Sequence, residues 1–448
     1  MLTLNEICSA VNGTLFGKGD VKINGVSTDT RTIEKGMLYV ALKGERFDGN
    51  DLIAQVAEKG AAAVISDRAQ GADGYDIPLV LVGNSREAQL ALAGYYRNRF
   101  DIKLCGVTGS VGKTSTKDMI YAVLSAGFRT LRTEGNYNND IGLPKTLFGL
   151  DDSFEAAVVE MGMSDLGEIS RLSAAAHPDV AVITNIGYCH IENLGTRENI
   201  LRAKLEILDG AKDGAPLIIN GDDEYLKAVG IADRRVIRYG FSEKCDVRAE
   251  NVVHSDNGES FVLSADGGRH HASIPVRGEH NIMNALAAYC VGREFGMNAE
   301  EIIPAFMNYT ASGMRQRTEE HDGITFIIDC YNASPDSMRA SLSVLGGMKA
   351  EGRRIAVLGD MLELGAMSEW LHAQTAEYVM MHAEVCFLYG REMAVCADVL
   401  SKKGSEVYHS TDKNELIRML REYIRRGDVL LFKGSRAMSM EDIAEAIK

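Results

Sequence analysis

The sequence predicts an α/β protein of three domains, and three observations carry this prediction. The chain has 448 residues, which at roughly 100–200 residues per domain leaves room for two to four domains. Short apolar runs that end in polar or acidic residues alternate with stretches of helical character, a pattern typical of parallel sheets. The 45 glycines against 7 prolines favour many tight turns between strands and helices.

The first domain is predicted over residues 1–100 as a small α/β unit. Its apolar runs, separated by helical stretches and turns, are at residues 37–42, 61–66 and 79–82. The second domain, residues 101–311, is predicted to contain a parallel sheet with strands at residues 102–107, 156–160, 180–185 and 217–220. Turn signals at 256–258 and 266–268 divide residues 246–276 into an antiparallel region. A helix over about 279–295 is predicted to follow it.

The third domain, residues 312–448, is predicted to be doubly wound and Rossmann-like. Five apolar runs alternate with helices there, at residues 324–329, 355–358, 385–389, 407–409 and 429–432. The chain contains no G-x-G-x-x-G sequence, which argues against a standard dinucleotide site in spite of this alternation.

The composition excludes several classes of partner and chemistry. A formal charge of −15 repels nucleic acid and anionic membrane surfaces, so we expect no nucleic-acid partner and no membrane insertion. The eight cysteines include no C-x-x-C pair and suggest neither a disulfide framework nor a zinc site. Because no basic segment precedes an apolar stretch at the start of the chain, we expect a cytoplasmic protein. Any anionic ligand therefore needs a locally positive pocket.

The strongest chemical signal is the sequence GVTGSVGKTST at residues 106–116, between a predicted strand and a predicted helix. The backbone N–H groups of such a loop cradle a polyphosphate, Lys113 reaches the β and γ phosphates, and the hydroxyl of Thr114 ligates Mg²⁺. Val107 stands where the common phosphate loop has its first glycine, which indicates a particular subclass of nucleotide loop. The predicted nucleotide-binding residues here are Thr108, Gly109, Ser110, Val111, Gly112, Lys113, Thr114 and Ser115.

Three residues gain significance only beside this loop. Glu160 ends a predicted strand, where a carboxylate can hold Mg²⁺ on a nucleotide, although a solvated strand-end acid is the alternative. His190 follows the next strand and, taken alone, is a structural histidine. Lys204 lies on a predicted helix and, taken alone, is a surface lysine.

Together these motifs resemble the Mur ligases, the ATP-dependent amide-forming enzymes of peptidoglycan precursor synthesis. The resemblance is carried by the phosphate loop, by GNYNNDIG at residues 135–142, by EMG at 160–162 and by AKLEI at 203–207. Matches at residues 29–31, 40–49, 280–286, 329–337, 358–365 and 433–436 narrow it to the member that adds D-alanyl-D-alanine to UDP-N-acetylmuramoyl-tripeptide. The implied fold is the three-domain architecture of that family, with a central P-loop ATPase-like domain and a C-terminal Rossmann-like domain.

The resemblance also implies roles for individual residues, with ATP and Mg²⁺ as cofactors. The implied catalytic residues are Lys113, Glu160, His190, Lys204 and Arg315. The implied Mg²⁺ ligands are Thr114, Glu160, His190 and Lys204, the last as a carbamate. Further nucleotide contacts are implied for Asn281, Asn284, Arg315 and Asp329. Implied substrate contacts are Ser27, Asp29, Arg31, Arg46, Asp48, Asn136, Asn139, Tyr331, Asn332, Lys433 and Arg436. The sequence departs from the family at Asn50, Cys330 and Ser334.

The resemblance implies that the tripeptide carboxylate is activated as an acyl phosphate and is then attacked by the dipeptide amine. Because water would destroy that intermediate, we expect the domains to close by rotation near residues 310–313. Two alternatives remain open: a folylpolyglutamate synthetase, and a P-loop switch that hydrolyses ATP to control a partner. The N-terminal motifs at 29–31 and 47–49 argue against the folate enzyme. We expect a monomer, and no motif tells whether the third residue of the tripeptide is lysine or meso-diaminopimelate.

Overall fold

The computed structural model describes residues 2–44, 47–69, 77–255 and 257–448. Within these residues helices and strands alternate, and they form four sheets, of two, five, nine and six strands. This confirms the predicted α/β class. Every sheet lies within one of the three predicted domains, whose boundaries after residues 100 and 311 remain predictions.

The N-terminal unit is a five-stranded sheet with a separate two-stranded pair. In the larger sheet the order is β2–β7–β6–β5–β4; the last four strands are parallel, and β2 is antiparallel to β7. The predicted strands are confirmed as β5, β6 and β7. The elements are β1 (Leu2–Thr3), α1 (Leu4–Ala10), β2 (Thr14–Phe16), β3 (Lys22–Ile23), β4 (Val26–Ser27), β5 (Leu38–Val40), α2 (Ile53–Glu58), β6 (Ala63–Ser66), β7 (Leu79–Leu81) and α3 (Ser85–Arg97).

The central unit is a nine-stranded sheet in the order β16–β15–β14–β13–β12–β11–β8–β10–β9. Strands from β9 to β14 are parallel to their neighbours, and β14, β15 and β16 are antiparallel. The antiparallel region is confirmed, and it continues the parallel sheet at one edge. The strands are β8 (Lys103–Thr108), β9 (Thr130–Arg132), β10 (Ala156–Glu160), β11 (Val180–Ile183), β12 (Leu217–Asn220), β13 (Val236–Gly240), β14 (Val247–Ser255), β15 (Gly258–Ala265) and β16 (Gly268–Ile274).

Helices cover both faces of this sheet. Two of them, α4 and α9, pack together on one face and bury a continuous apolar core with the strands. The strand ends of β8, β10 and β11 are neighbours, so the residues that follow them meet at one edge. The helices are α4 (Lys113–Leu124), α5 (Gly142–Leu147), α6 (Glu168–Ala176), α7 (Ile191–Leu194), α8 (Arg197–Leu205), α9 (Glu279–Glu294) and α10 (Ala299–Ala305).

The C-terminal unit is a six-stranded sheet in the order β17–β18–β22–β19–β20–β21. The five predicted strands are confirmed and are all parallel, as a doubly wound domain requires. The antiparallel edge strand β17 was not predicted. The elements are β17 (Arg317–His321), β18 (Ile324–Ile328), α11 (Pro335–Gly347), β19 (Arg354–Gly359), α12 (Ser368–His382), β20 (Val385–Tyr389), α13 (Met393–Lys402), β21 (Glu406–Ser410), α14 (Lys413–Tyr423), β22 (Val429–Lys433) and α15 (Met440–Ile447).

Asp428, just before β22, accepts hydrogen bonds from Arg353 and Arg425 within the C-terminal unit, and these bonds lead to a prediction about stability. Burial raises the pKa of this carboxyl, but hydrogen bonds from the side chain and backbone of Arg353 and from the Arg425 N–H outweigh burial and lower it. Asp428→Asn should therefore destabilise the domain by about 1–3 kcal/mol at pH 7. A carboxyl whose folded pKa is depressed stabilises above its unfolded pKa, so the difference from wild type should shrink as pH falls below about 4. Urea unfolding at several pH values measures this, and an equal difference at pH 7 and pH 3 would contradict it.

Within the described residues, no helix combines the length and the apolar character needed to cross a bilayer.

Candidate active site

The phosphate loop connects the end of β8 to the start of α4, as the sequence predicts. Gly109 and Gly112 both have positive φ angles, 146° and 81°, in the range that favours glycine. The Lys113 ammonium donates hydrogen bonds to the carbonyls of Gly109 at 2.8 Å and Ser110 at 3.1 Å, and so lies over the loop. The loop can thus present its backbone and a cation to the same ligand.

Residues that follow β11 hold this loop in place. The Val111 N–H donates to Asn185 Oδ1 at 2.9 Å, and Thr184 Oγ1 donates to the Val111 carbonyl at 2.6 Å. The Gly187 N–H donates to Ser110 Oγ at 2.9 Å. Sequence reasoning missed Asn185, because its only visible signal was a polar residue at the end of an apolar run.

Gly109 carries the strictest steric requirement of the loop. A Cβ atom here would lie 1.9 Å from Thr184 Oγ1, and the φ of 146° is itself unfavourable for other residues. Gly109→Ala should therefore distort the loop, cost about 1–3 kcal/mol of stability and abolish nucleotide binding. The matched control is Gly214→Ala, where φ is 72° and no atom lies within 4 Å. Calorimetric titration with ADP and thermal unfolding measure both effects, and normal ADP affinity in Gly109→Ala would contradict the assignment.

Glu160, at the end of β10, is a buried carboxylate beside the loop. It accepts hydrogen bonds from Thr114 Oγ1 at 2.7 Å and from Asn138 Nδ2 at 2.8 Å, and Thr133 Oγ1 accepts one from its backbone N–H. These contacts fix both carboxylate oxygens relative to α4. Asn138 was not predicted, whereas its neighbours Asn136 and Asn139 were.

The oxygen atoms of Thr114 and Glu160 are the hard ligands that Mg²⁺ prefers. Among the described residues, no group of three or more histidine, cysteine or acidic side chains is arranged to hold a metal. With these two oxygen ligands, the residues present fit a magnesium ion that takes the rest of its coordination from nucleotide phosphates and water, as is usual for this ion.

Lys204, on α8, is fully buried, and its Nζ has no hydrogen-bond partner among the described residues. Burial, and secondly the positive charge of Lys113, hold the pKa of this amine well below its ordinary value. A buried ammonium without a partner is costly, so this nitrogen is poised to be neutral or to be modified. An unprotonated amine is the form that can react with CO₂ to give a carbamate.

His190, between β11 and α7, has a left-handed φ of 61°. Burial, followed by the charges of Lys113 and Lys204, lowers the pKa of its imidazole to about 4. The ring is therefore neutral near pH 7. Its Nδ1 lies 2.6 Å from Glu363 Oε2 of the C-terminal unit.

The C-terminal unit contributes a second group of charged residues. Lys433 Nζ donates to Asp329 Oδ2 at 2.6 Å, and Ser341 Oγ donates to the same oxygen. Burial raises the pKa of Asp329, but the charge of Lys433 and these two hydrogen bonds lower it overall. The guanidinium of Arg315 lies over the ring of Tyr331, 3.9 Å from its centroid. Lys433 is thus already paired with a carboxylate.

A cavity of about 1340 Å³ is lined by residues of the central and C-terminal units together with Arg86 of the N-terminal unit, and most of the predicted residues belong to this lining. Six predicted residues of the central and C-terminal units are absent from the lining: Thr108, Gly109, Asn136, Lys204, Asn281 and Arg436. Arg436 instead forms an ion pair with Glu441. The predicted residues that line the cavity are Ser110, Val111, Gly112, Lys113, Thr114, Ser115, Asn139, Glu160, His190, Asn284, Arg315, Asp329, Tyr331, Asn332 and Lys433.

Asn281 and Asn284 act through a hydrogen-bonded chain at the start of α9. Asn284 Oδ1 accepts from Thr116 Oγ1 at 2.7 Å, and its Nδ2 donates to Asn281 Oδ1 at 3.0 Å. Asn281 Nδ2 donates to Gln316 Oε1 at 2.9 Å. The helix of the phosphate loop is thereby connected to the segment that leads into the C-terminal unit. That segment is also held at Ser312, whose hydroxyl donates to Asp118 Oδ2 at 2.6 Å.

The predicted uridine-diphosphate residues form a separate group in the N-terminal unit. Arg31 pairs with Asp29, and the backbone N–H of Asp29 donates to Ser27 Oγ. Asp48 pairs with Arg68 and accepts from the Asn50 side chain. Of these residues none lines the large cavity. Arg46, also predicted here, lies outside the described residues.

Aromatic and carboxylate contacts join the central and C-terminal units at the edge of the cavity. The Tyr188 N–H donates to Asp336 Oδ2 at 3.3 Å, and a Cβ on Gly187 would lie 2.0 Å from that same oxygen. The rings of Tyr188 and Trp370 meet edge to face with centroids 6.3 Å apart. The two units therefore touch within a few residues of His190.

Comparison with known proteins places this geometry in a family. Family models described as the Mur ligase family catalytic domain, the Mur ligase middle domain and the Mur ligase glutamate ligase domain match residues 22–94, 107–292 and 314–436. The chain is 39% identical to the UDP-N-acetylmuramoyl-tripeptide–D-alanyl-D-alanine ligase of Bacillus subtilis, and the match covers 99% of this chain and 97% of that protein. The chain belongs to the Mur ligase family. As a Mur ligase it is an enzyme, and the resemblance read from its motifs is confirmed.

Solved structures of other Mur ligases share the whole architecture. A crystal structure of MurF from Acinetobacter baumannii has a TM-score of 0.91 at 29% identity, with 99% of this chain and 98% of that chain covered. The MurF ligase of Thermotoga maritima, solved in complex with ADP, has a TM-score of 0.85 at 28% identity, with 95% and 97% covered. The predicted three-domain Mur ligase architecture is therefore confirmed.

Proposed function

We propose that this Mur ligase joins D-alanyl-D-alanine to UDP-N-acetylmuramoyl-tripeptide with consumption of ATP. The observation that carries the proposal is the match over nearly the full length to the Bacillus subtilis enzyme of that name. The geometry supports it, because a phosphate loop, a buried carboxylate and basic residues of a second unit line one cavity. We further propose that the protein acts in the cytoplasm as a monomer.

The chemistry starts from a carboxylate, which an amine cannot attack because oxide is not a leaving group at neutral pH. The terminal carboxylate of the tripeptide attacks the γ-phosphorus of ATP, which gives an acyl phosphate and ADP. The dipeptide amine then attacks the acyl carbon. The bond between this carbon and the oxygen that bridges to phosphorus breaks, and inorganic phosphate leaves. The amine loses a proton as the amide forms.

The residues of this chain would serve these steps mainly by position and charge. Lys113 and the N–H groups of the loop bind the phosphates and neutralise the charge that spreads over them during transfer. Thr114 and Glu160 are the residues that would hold Mg²⁺, which supplies further charge neutralisation when bound. Arg315 and Asp329 are proposed nucleotide contacts from the C-terminal unit. His190 and a carbamylated Lys204 complete the proposed catalytic set.

The substrate contacts are proposed in two places. Ser27, Asp29, Arg31 and Asp48 would bind the uridine diphosphate part, together with Arg46. Asn139, Tyr331 and Asn332 line the cavity where the peptide end would lie. The contacts of Lys433 with Asp329 and of Arg436 with Glu441 leave neither cation free in this arrangement. For either to hold the dipeptide carboxylate, it would have to exchange partners.

The direct test is a ligation assay. Purified protein is incubated with MgATP, UDP-N-acetylmuramoyl-tripeptide and D-alanyl-D-alanine, and the products are weighed by mass spectrometry. We expect UDP-N-acetylmuramoyl-pentapeptide with one ADP and one phosphate per amide formed. Parallel reactions with lysine or meso-diaminopimelate at the third position identify the preferred tripeptide. ATP hydrolysis without consumption of the dipeptide would reject the proposal in favour of a switch ATPase. Addition of glutamate to a folate would instead favour a folylpolyglutamate synthetase.

A further inference from the structure

A loop of the C-terminal unit, residues 360–365, docks against helix α7 of the central unit immediately after His190. The Glu192 N–H faces the Glu363 carbonyl at 3.4 Å, and a Cβ on Gly365 would lie 3.2 Å from the Cα and Cβ of Glu192. Gly365 has a positive φ of 52°. A side chain at position 365 would therefore require the loop to move by a few tenths of an ångström relative to α7.

This docking loop, residues 360–365, is held rigidly from its own side. The Met361 N–H donates to Nε2 of the buried His372 at 3.0 Å, and His372 Nδ1 is paired with the Ser368 carbonyl at 2.8 Å. The Leu362 N–H donates to Ser435 Oγ at 2.8 Å. These bonds fix the backbone immediately before Glu363, and from there the Glu363 side chain, 61% exposed, extends to within 2.6 Å of His190 Nδ1.

Glu363 of the C-terminal unit contacts His190 of the central unit, and both residues have an uncommon backbone conformation. Both are non-glycine residues with left-handed φ angles, 62° and 61°. Such conformations persist where the surrounding structure enforces them, and they cluster at functional sites. The buried Nδ1 of His190 has no aligned hydrogen-bond partner among the described residues, and Glu363 Oε2 lies 2.6 Å from it, off the line of the N–H. The pair becomes a hydrogen bond when the ring and the carboxylate turn towards each other.

We propose that Glu363 is a positioning residue for His190: its carboxylate accepts the Nδ1–H when the docking loop lies against α7, which leaves Nε2 as the unprotonated nitrogen. A neutral imidazole carries one ring proton, and a carboxylate partner at one nitrogen decides which nitrogen carries it. The nitrogen of His190 that stays free to accept a bond is thus determined by a residue of a different domain. The proposal rests on the proposed function only in treating His190 as part of the reaction site.

The docked arrangement can be locked for the test. The double substitution Glu192→Cys with Gly365→Cys brings two Cβ atoms close to the separation that a disulfide needs, and mild oxidation should cross-link the loop to α7. Failure of the cross-link to form would overturn the docked geometry, and with it the proposal. All further variants are made in this cross-linked, full-length background without added metal.

The readout is the tautomer of His190, obtained from two-bond ¹H–¹⁵N spectra of protein labelled with ¹⁵N-histidine. Its signals, among those of ten histidines, are assigned by their loss in His190→Gln. We expect an unprotonated Nε2 with Glu363 present, and a shift of Nε2 towards the protonated range in Glu363→Gly, which removes the carboxylate and tolerates the positive φ. Glu363→Gln keeps an acceptor oxygen and should restore the first pattern.

The matched control is Glu369→Gln, an exposed acidic residue at the start of α12 that lies outside the docking loop, and it should leave the spectrum unchanged. Identical His190 signals in Glu363→Gly and in its parent would overturn the proposal, as would a protonated Nε2 in the parent. Because the spectra do not depend on turnover, a negative ligation assay would reject the proposed function and leave this result intact.

Discussion

Replacing Lys113 with alanine should lower ATP-dependent phosphate release by about 10³-fold or more. The ammonium lies over the phosphate loop, 2.8 Å and 3.1 Å from two loop carbonyls, at the start of α4. Removing a preorganised positive group from a site where negative charge spreads in the transition state costs on this scale. The effect should appear equally in kcat and in kcat/KM, because the stabilisation exists mainly in the transition state.

The measurement is phosphate release in the presence of both other substrates, with product followed by mass spectrometry. Lys227→Ala is the matched control, since this lysine lies on the surface of the same unit and outside the cavity lining. Thermal unfolding should be close to wild type for both variants. Undiminished ATP turnover by Lys113→Ala would remove the nucleotide assignment from this loop.

Replacing Lys204 with alanine should nearly abolish turnover, by about 10³-fold on the same grounds of lost electrostatic support. Its amine is fully buried, has no hydrogen-bond partner among the described residues, and has a pKa well below the ordinary lysine value. Conversion of this amine to a carbamate would remove a buried nitrogen without a partner and would supply oxygen atoms that can bind a metal. Added short-chain carboxylates such as formate or acetate should then restore part of the activity.

Two variants separate chemistry from packing at this position. Lys204→Met retains most of the buried volume without the amine, so it should be as inactive as Lys204→Ala but more stable to heat. Removal of CO₂ and bicarbonate should slow the wild-type enzyme and leave both variants unaffected. Full activity of Lys204→Met would show that the lysine serves only to fill space. If Lys204→Ala gained no activity from added formate or acetate, that result would argue against the carbamate.

The parts of the fold that could be predicted are those that depend on the pattern of consecutive residues in the sequence. Strands such as β10, β11 and β22 are nearly all apolar because parallel strands are buried on both faces, and their positions were predicted to within two residues at either end. The edge strand β17, with the sequence RTEEH, was missed since an exposed edge needs no apolar run. A local signal was nevertheless present, because Asp322-Gly323, with positive φ angles of 51° and 76°, forms the two-residue turn that pairs β17 with β18.

The residues of the candidate site also divide into those that local sequence predicts and those that depend on distant partners. The phosphate loop could be read from spacing alone, because its function depends on consecutive residues. Asn138 and Asn185 were missed, since each acts through a hydrogen bond to a residue 22 or 74 positions away. Arg436 was assigned from a motif, and its actual partner, Glu441, lies on the next helix. Partner choice of this kind is decided by packing that a single sequence does not reveal.

The contact between Tyr188 and Trp370 has a practical consequence, because Trp370 is the only tryptophan of the chain. The indole is half exposed, at 49%, and packs against a ring of the neighbouring unit. Its emission spectrum should therefore respond when the two units separate or come together, without any attached dye. Rapid mixing with each ligand in turn would then time the movements of the C-terminal unit in the unmodified protein.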